Sequence, residues 1–315
     1  MQQERNYPLV SVVIGTYNGE AYLKEQLDSV FSQAYPNLEV IVSDDCSTDS
    51  TLSILHSYAE RHSNMKLLQN KTNKGYIKNF EAGMEHAAGK YIAVCDQDDV
   101  WLDNKIMLMV EAIGDYPALY CDSYLVDESL NLLAKQQLSA IKNLATYTSC
   151  LVFATDNCVA GHATLITNEF FKKIKPFHTT IAHDWWFAYM ATFYGGIKYL
   201  DVPLIKYRNH ASNIIGAVKV NRARKTIAER IEQKKAEREK AQARVKIFYD
   251  NCPDSFAREK KVIGQLVGCY RQKSFASNCK RVALYLKHKE YFLAIKKSAG
   301  WYKTFFCFKM FFKTR

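Results

Sequence analysis

Apolar residues in the first part of this chain fall in short runs separated by longer amphipathic stretches. Val10-Ser11-Val12-Val13-Ile14 reads as an opening strand, Gly15-Thr16-Tyr17-Asn18-Gly19 as a turn, and Glu20 to about Gln33 as an amphipathic helix. Leu38 to Val42 repeats the strand pattern, runs into Ser43-Asp44-Asp45-Cys46-Ser47-Thr48-Asp49, and leads to a second helix from Ser50 to about His62. Met65 to Leu68 is a third short strand, and Asn73-Lys74-Gly75-Tyr76 turns the chain into a third helix ending near Gly89. Tyr91 to Cys95 is then the fourth strand, and Ala118 to Cys121 is a fifth apolar run ending at Asp122, which either lines the rim or begins a turn. Strands alternating with helices of this length predict βαβ units and a mostly parallel sheet, whose right-handed crossovers bring the strand ends to one rim.

The fourth strand runs straight into Asp96-Gln97-Asp98-Asp99-Val100-Trp101, three carboxylates within four residues. Carboxylates this close repel one another, and each tends to protonate unless a cation intervenes. A hard divalent ion such as Mg²⁺ or Mn²⁺, held by one or two carboxylates and bridging to phosphate oxygens, resolves the conflict. The competing reading is a solvated acidic turn that caps the next helix. At the same rim stand Thr16, Asn18, Asp44 and Asp45, so the set as a whole has the composition of a nucleotide-diphosphate site. Neither G-x-x-x-x-G-K-[ST] nor G-x-G-x-x-G occurs, which favours holding the diphosphate through a metal rather than in a cradle of backbone amides.

Val12-Val13-Ile14-Gly15-Thr16-Tyr17-Asn18, Asp44-Asp45-Cys46-Ser47-Thr48-Asp49, Asn73-Lys74-Gly75 and Asp96-Gln97-Asp98-Asp99-Val100-Trp101, in that order, resemble the family 2 glycosyltransferases, inverting enzymes with the GT-A fold. The resemblance covers roughly Pro8 to Gly216. It implies that Asp44 and Asp45 contact the base and ribose of a nucleotide-sugar donor, with Thr16 and Asn18 beside them. It also implies that Asp96 contacts ribose and that Asp98 and Asp99 hold the metal. An inverting transfer needs a base for the acceptor hydroxyl. In the resembled family an E-D or H-D pair supplies it, which carries over to Asp184 in Ile181-Ala182-His183-Asp184-Trp185-Trp186, at the start of a helix through Tyr189 and Ala191. Trp185 and Trp186 would wall the acceptor side, against the alternative that both are core anchors.

Leu200 to Tyr207 is strand-like and leads into Lys206-Tyr207-Arg208-Asn209-His210-Ala211-Ser212-Asn213. That element resembles the Y-R-x-H-x-x-N stretch of rhamnosyltransferase-like members. It implies Arg208 as a planar donor to the diphosphate and His210 as a metal ligand or diphosphate donor. Gly161-His162 stands where such enzymes often carry G-C, in the region that shapes the acceptor pocket, and the departure leaves the role of His162 open. The D-Q-D-D-V-W form with Y-R-x-H points to dTDP-L-rhamnose as donor, with a UDP-hexose or UDP-hexosamine as the alternative. A non-catalytic membrane-bound nucleotide-sugar-binding scaffold is a reading of another class.

The resemblance implies a catalytic region, 1–216, followed by a helical extension, 217–315, and the charge changes near the same point. Residues 1–210 carry 17 Lys and Arg against 24 Asp and Glu, whereas 211–315 carry 26 against 8. Asn221 to Phe248 reads as a long charged helix, and Tyr291 to Arg315 interleaves bulky aromatics with lysines, a composition suited to the interface of an anionic membrane. Nucleic acid is a poor alternative partner, because no binding motif is present and the acidic region repels a phosphate backbone. The nine scattered cysteines contain no C-x-x-C pair and fit a reducing cytoplasm. With no signal-like start and no apolar span of about 20 residues, the expected place is the inner face of the cell membrane, attached peripherally, with a lipid-linked glycan as acceptor.

Overall fold

A computed structural model of the protein describes residues 7–210, 226–271 and 274–311. The expected alternation opens the chain: β1 (Val10–Thr16), α1 (Leu23–Phe31), β2 (Leu38–Asp44), α2 (Thr51–Arg61), β3 (Met65–Gln69), α3 (Tyr76–Glu85) and β4 (Tyr91–Cys95). There follow β5 (Val100–Trp101), α4 (Lys105–Ile113), β6 (Ala118–Val126), β7 (Leu132–Gln137), α5 (Cys150–Phe153), β8 (Thr164–Thr167), α6 (Asn168–Ile174), α7 (His183–Ala191) and β9 (Ile197–Arg208). The C-terminal region adds α8 (Ile227–Asp250), α9 (Ala257–Arg271), α10 (Phe275–Lys287), α11 (Lys289–Phe292) and α12 (Gly300–Lys309).

The nine strands form one mixed sheet in the order β3-β2-β1-β4-β8-β6-β9-β5, with β7 on the edge of β6. β1, β2, β3 and β4 pair in parallel, as βαβ crossovers require. β8 then enters antiparallel between β4 and β6, and β9 runs parallel to β6. Six strands therefore share one direction, while β5, β7 and β8 oppose it. Alternate residues of each central strand feed opposite faces. Val13, Ile41, Ile92 and Val94 join one hydrophobic cluster, and Val12, Ile14, Val40, Val42 and Ala93 join the other. α1, α2 and α4 cover the second face; α3, α6, α7 and the C-terminal helices cover the first.

Asp122, left open between rim and turn, lies inside β6 at a register shift. It is buried there, with its carboxylate accepting from the Ser123 and Ser139 amides. The described long charged helix opens on a capping box in which Thr226 and Glu229 satisfy each other's backbone; residues 221–225 of the expected helix lie outside the described part. The aromatic terminus is not uniform. Phe292, Leu293, Ile295, Cys307 and Met310 belong to the core, while Trp301, Phe305 and Phe308 face outward. Phe248 on α8 stacks on Tyr189 of α7 at 4.0 Å, and the Tyr189 hydroxyl donates to its carbonyl at 2.6 Å, so the C-terminal helices share a core with the sheet and α7.

Candidate active site

The rim at the C-terminal ends of β1, β2 and β4 opens into a cavity of about 930 Å³, the size expected for a small-molecule site. Asp45 closes one end. Its Oδ1 accepts from the Lys74 amide at 2.8 Å and the Asn70 side chain at 3.0 Å. Its Oδ2 accepts from the Gly75 amide at 2.8 Å. Gly75 sits at φ +80, a backbone that only glycine adopts without strain, so the Asn73-Lys74-Gly75 turn is shaped to present these amides. Asn18, at φ +48, accepts the Thr48 amide on its Oδ1 at 2.8 Å and donates its own amide to the Ser47 hydroxyl, tying the loop after β1 to the loop after β2. Gln97 bonds both ways to the Tyr17 backbone.

Sheet topology assembles the acidic end. β8 runs antiparallel to β4, with Ala93 opposite Leu165, so residues just before β8 lie beside the end of β4. That brings His162 against the acidic loop: its Nδ1 is 3.4 Å from Asp99 Oδ2 and 3.7 Å from Asp96 Oδ2. From β6, the Ser123 hydroxyl meets His162 Nε2 at 3.0 Å, and from β9 the Tyr207 ring stacks on the imidazole at 4.6 Å. The buried Lys105 ammonium donates to the His162 carbonyl at 2.8 Å and lies over the Trp101 ring. The donor atoms of Asp96, Asp99 and His162 all fall within 4.8 Å of one another.

The electrostatics of this cluster suit a cation. Asp99 is fully buried, and its Oδ2 has no hydrogen-bond partner. Burial pushes its pKa up to about 7, against the pull of His162 and with further upward pressure from Asp98 and Asp96. Asp96 is held below the ordinary carboxylate value despite burial, chiefly by His162. Burial pulls His162 down, but Asp99 and Asp96 outweigh it and leave the imidazole above its usual value. Two carboxylates and an imidazole, one oxygen orphaned and one group driven to keep a proton, form a candidate donor set for a divalent ion.

Asp184 enters the cavity at the first turn of α7. Its Oδ1 accepts from the Trp185 amide at 2.5 Å. Burial raises its pKa above the ordinary carboxylate value, offset in part by His183 and the Trp185 amide. His183 is buried against Tyr76, Phe80 and Phe187, and burial keeps it below the usual imidazole value. Lys142 lines the same side and donates to the Asn157 carbonyl. The cavity thus carries a cation-seeking cluster and, on another wall, a carboxylate whose environment favours taking up a proton.

The profile of the glycosyl transferase family 2 matches residues 11–175. The chain belongs to glycosyl transferase family 2. An uncharacterised glycosyltransferase of Haemophilus influenzae is 38% identical over 120 residues, 35% of this chain and 37% of that relative's length. Among solved structures, S. aureus TarS 1–349 in complex with UDP-GlcNAc superposes with a TM-score of 0.56 at 19% identity, over 89% of this chain and 80% of that one. The mannosyltransferase PcManGT from Pyrobaculum calidifontis, in complex with GDP-Man and Mn²⁺, gives 0.55 at 18% identity, over 90% and 76%. The fold is that of the GT-A glycosyltransferases.

Within this family 2 frame the expected residues do not all play one part. Thr16, Asn18, Asp45, Asp96, Asp98, His162, Asp184, Trp185 and His210 line the cavity. Asp44 does not: it is buried, accepting from the Thr16 hydroxyl at 2.9 Å and from the Ser47 amide and hydroxyl, and so shapes the loop beneath Asp45. Asp99 meets Asp96 and His162 rather than the expected Asp98 and His210, which pair with each other at 2.9 Å. Arg208, expected at the diphosphate, is buried and does not line the cavity. Its guanidinium donates to the Asp98 carbonyl at 2.9 Å, to the Glu128 carbonyl and to Glu25, and lies over the Tyr22 ring. Trp185 walls the cavity with its indole N–H on the Phe153 carbonyl, whereas Trp186 is core, its N–H on the Ile174 carbonyl. Gln97, Lys105 and Ser123 went unmarked in the sequence. Gln97 was visible inside the acidic motif; nothing local marks the other two.

Proposed function

We propose that this family 2 enzyme transfers one sugar, with inversion, from a nucleoside-diphosphate sugar to a hydroxyl of a lipid-linked glycan. The observation that carries the reading is one cavity lined by Asp96, His162 and Asp184, with Asp99 buried against Asp96 and His162 behind the wall. Asp45 and the amides of the Gly75 turn are suited to a base and ribose. Asp96, Asp99 and His162 would hold Mg²⁺ or Mn²⁺, and Asp98 with His210 would face the diphosphate from the side. When bound, the ion would supply charge neutralisation for the diphosphate leaving group. Asp184 takes the proton of the attacking hydroxyl, and its raised pKa suits that task. Trp185 offers an apolar face to a sugar ring.

Of the possible donors, dTDP-L-rhamnose follows from the D-Q-D-D-V-W and Y-R-x-H resemblance, and UDP-hexoses compete with it. The acceptor reading has the enzyme working peripherally at the cytoplasmic face of an anionic membrane. No helix among the described residues is long and apolar enough to cross a bilayer. The test is a thermal-shift panel of dTDP-rhamnose, UDP-glucose, UDP-galactose, UDP-N-acetylglucosamine and GDP-mannose with Mn²⁺. A ligand bound only by the folded state raises the melting temperature with ln(1 + [L]/Kd), so the donor separates from the others. A flat panel would overturn the reading.

A further inference from the structure

Residues Trp301, Phe305 and Phe308 of α12 are spaced by four and three positions and therefore share one helix face. They are 74%, 52% and 52% exposed, while Cys307 and Met310 on the opposite face are buried. Phe275, at the start of α10, is 71% exposed and meets Phe311, just after α12, edge to face at 5.3 Å. A contiguous run of large exposed aromatics on a single amphipathic helix marks a contact surface.

Its surroundings identify the partner. From Tyr291 to Arg315 the sequence has six Lys and Arg and no Asp or Glu. Lys309 lies over the Phe305 and Tyr302 rings at 5.1 and 5.4 Å, so the cation flanks the aromatic stripe. Aromatic insertion beside uncompensated positive charge complements an anionic lipid interface.

The segment leading into α12 is fastened to the cavity wall. Ile295 accepts from the Asn143 amide at 2.8 Å, Lys297 donates to the Ser139 carbonyl at 2.7 Å, and Lys142 and Lys296 form a β-bridge. Leu138, Ile141 and Lys142, on the segment to which it is bonded, line the cavity. From Lys297 to the first residue of α12 is three residues, at most about 11 Å of chain.

We propose that the Trp301-Phe305-Phe308 face of α12 lies in the interface of an anionic bilayer and holds the Leu138–Lys142 wall of the cavity next to it. A lipid-linked acceptor would then reach Asp184 along that wall; this consequence rests on the function proposed above, whereas the attachment does not.

The test uses the full chain with vesicles of phosphatidylcholine alone and of phosphatidylcholine mixed with phosphatidylglycerol. Trp101 and Trp186 are buried and Trp185 is tied to a carbonyl, so Trp301 is the indole that brominated lipid should quench. Quenching is expected with anionic vesicles only, and W301F should lose it. The W301S/F305S/F308S variant should bind anionic vesicles at least about tenfold more weakly at high salt, where charge attraction is screened, yet keep its nucleotide-induced thermal shift. Should that variant fail to fold, W301S and F308S singly should each give part of the loss. Absence of quenching in the wild type would overturn the proposal. So would equal vesicle binding by all variants, or a wild-type dimer without vesicle affinity that the triple variant dissolves. Vesicle binding without any nucleotide shift would sink the proposed function and leave this one standing.

Discussion

Asp99 and Asp184 are both carboxylates pressed toward protonation by burial, but their surroundings assign them different chemistry. Asp99 has an orphaned oxygen facing an imidazole and a second carboxylate, an arrangement suited to a cation. In EDTA its folded-state pKa of about 7 lies above the ordinary 3.8, so the folded chain keeps a proton that the unfolded chain has lost. Stability of the metal-free protein should therefore fall as pH rises between those values, by no more than about 1.4 kcal/mol per pH unit. Denaturant midpoints across that range measure it. Asp99→Asn should flatten the slope and abolish metal-dependent nucleotide binding. Asp184 needs no cation. Asp184→Asn should leave donor affinity unchanged and lower transfer by about 10²- to 10⁴-fold, measured as kcat with the donor Kd followed in parallel. Because burial raises its pKa, the acid limb of the wild-type rate profile should lie above the usual carboxylate range, with rate falling as pH falls through it. Collapse of donor binding in Asp184→Asn would return the residue to the donor site.

At the scale of elements, Arg208 shows how the end of β9 holds the acidic loop. Its amide donates to Asp99 Oδ1 at 3.0 Å while its guanidinium spans the Asp98 carbonyl, the turn after β6 and Glu25 on α1. Removing one partner of a buried charged network typically costs about 3–5 kcal/mol. Arg208→Ala should show that loss in chemical denaturation, and Arg208→Lys should recover little of it because an ammonium cannot replace the fork. A Lys variant of wild-type stability with weakened donor binding would instead put Arg208 at the diphosphate. The same elements mark what could be read from the chain. β1 to β4 and the helices between them were legible because each strand is a continuous apolar run and each helix has a periodic face. β5, two residues, and β8, four residues, carry no periodicity to detect. The pairing of His162 with Asp96 and Asp99 depends on β8 entering between β4 and β6, a non-local choice that spacing along the chain does not encode. The roles of Asp44, Arg208 and Trp186 were similarly hidden, since a motif names a residue but not the direction its side chain takes once buried.

For the molecule as a whole, the charge asymmetry becomes spatial. Asp45, Asp96, Asp98 and Asp184 line one cavity, where a cation and a nucleotide would meet, and the C-terminal helices, from a stretch with 26 Lys and Arg against 8 Asp and Glu, pack on the core of the sheet. That shared core, through Phe248 and Tyr189, couples the extension to α7 and hence to Asp184. The central claim is that the cavity binds a nucleoside diphosphate through a divalent ion held by Asp96, Asp99 and His162. Isothermal titration of dTDP and UDP into the full chain, in Mn²⁺ and again in EDTA, tests it most directly. At least one nucleotide is expected to bind one-to-one in Mn²⁺ and to lose at least about tenfold in affinity in EDTA, with Asp99→Asn behaving in Mn²⁺ as the wild type does in EDTA. Equal affinity in both conditions, or an unchanged Asp99→Asn variant, would contradict it.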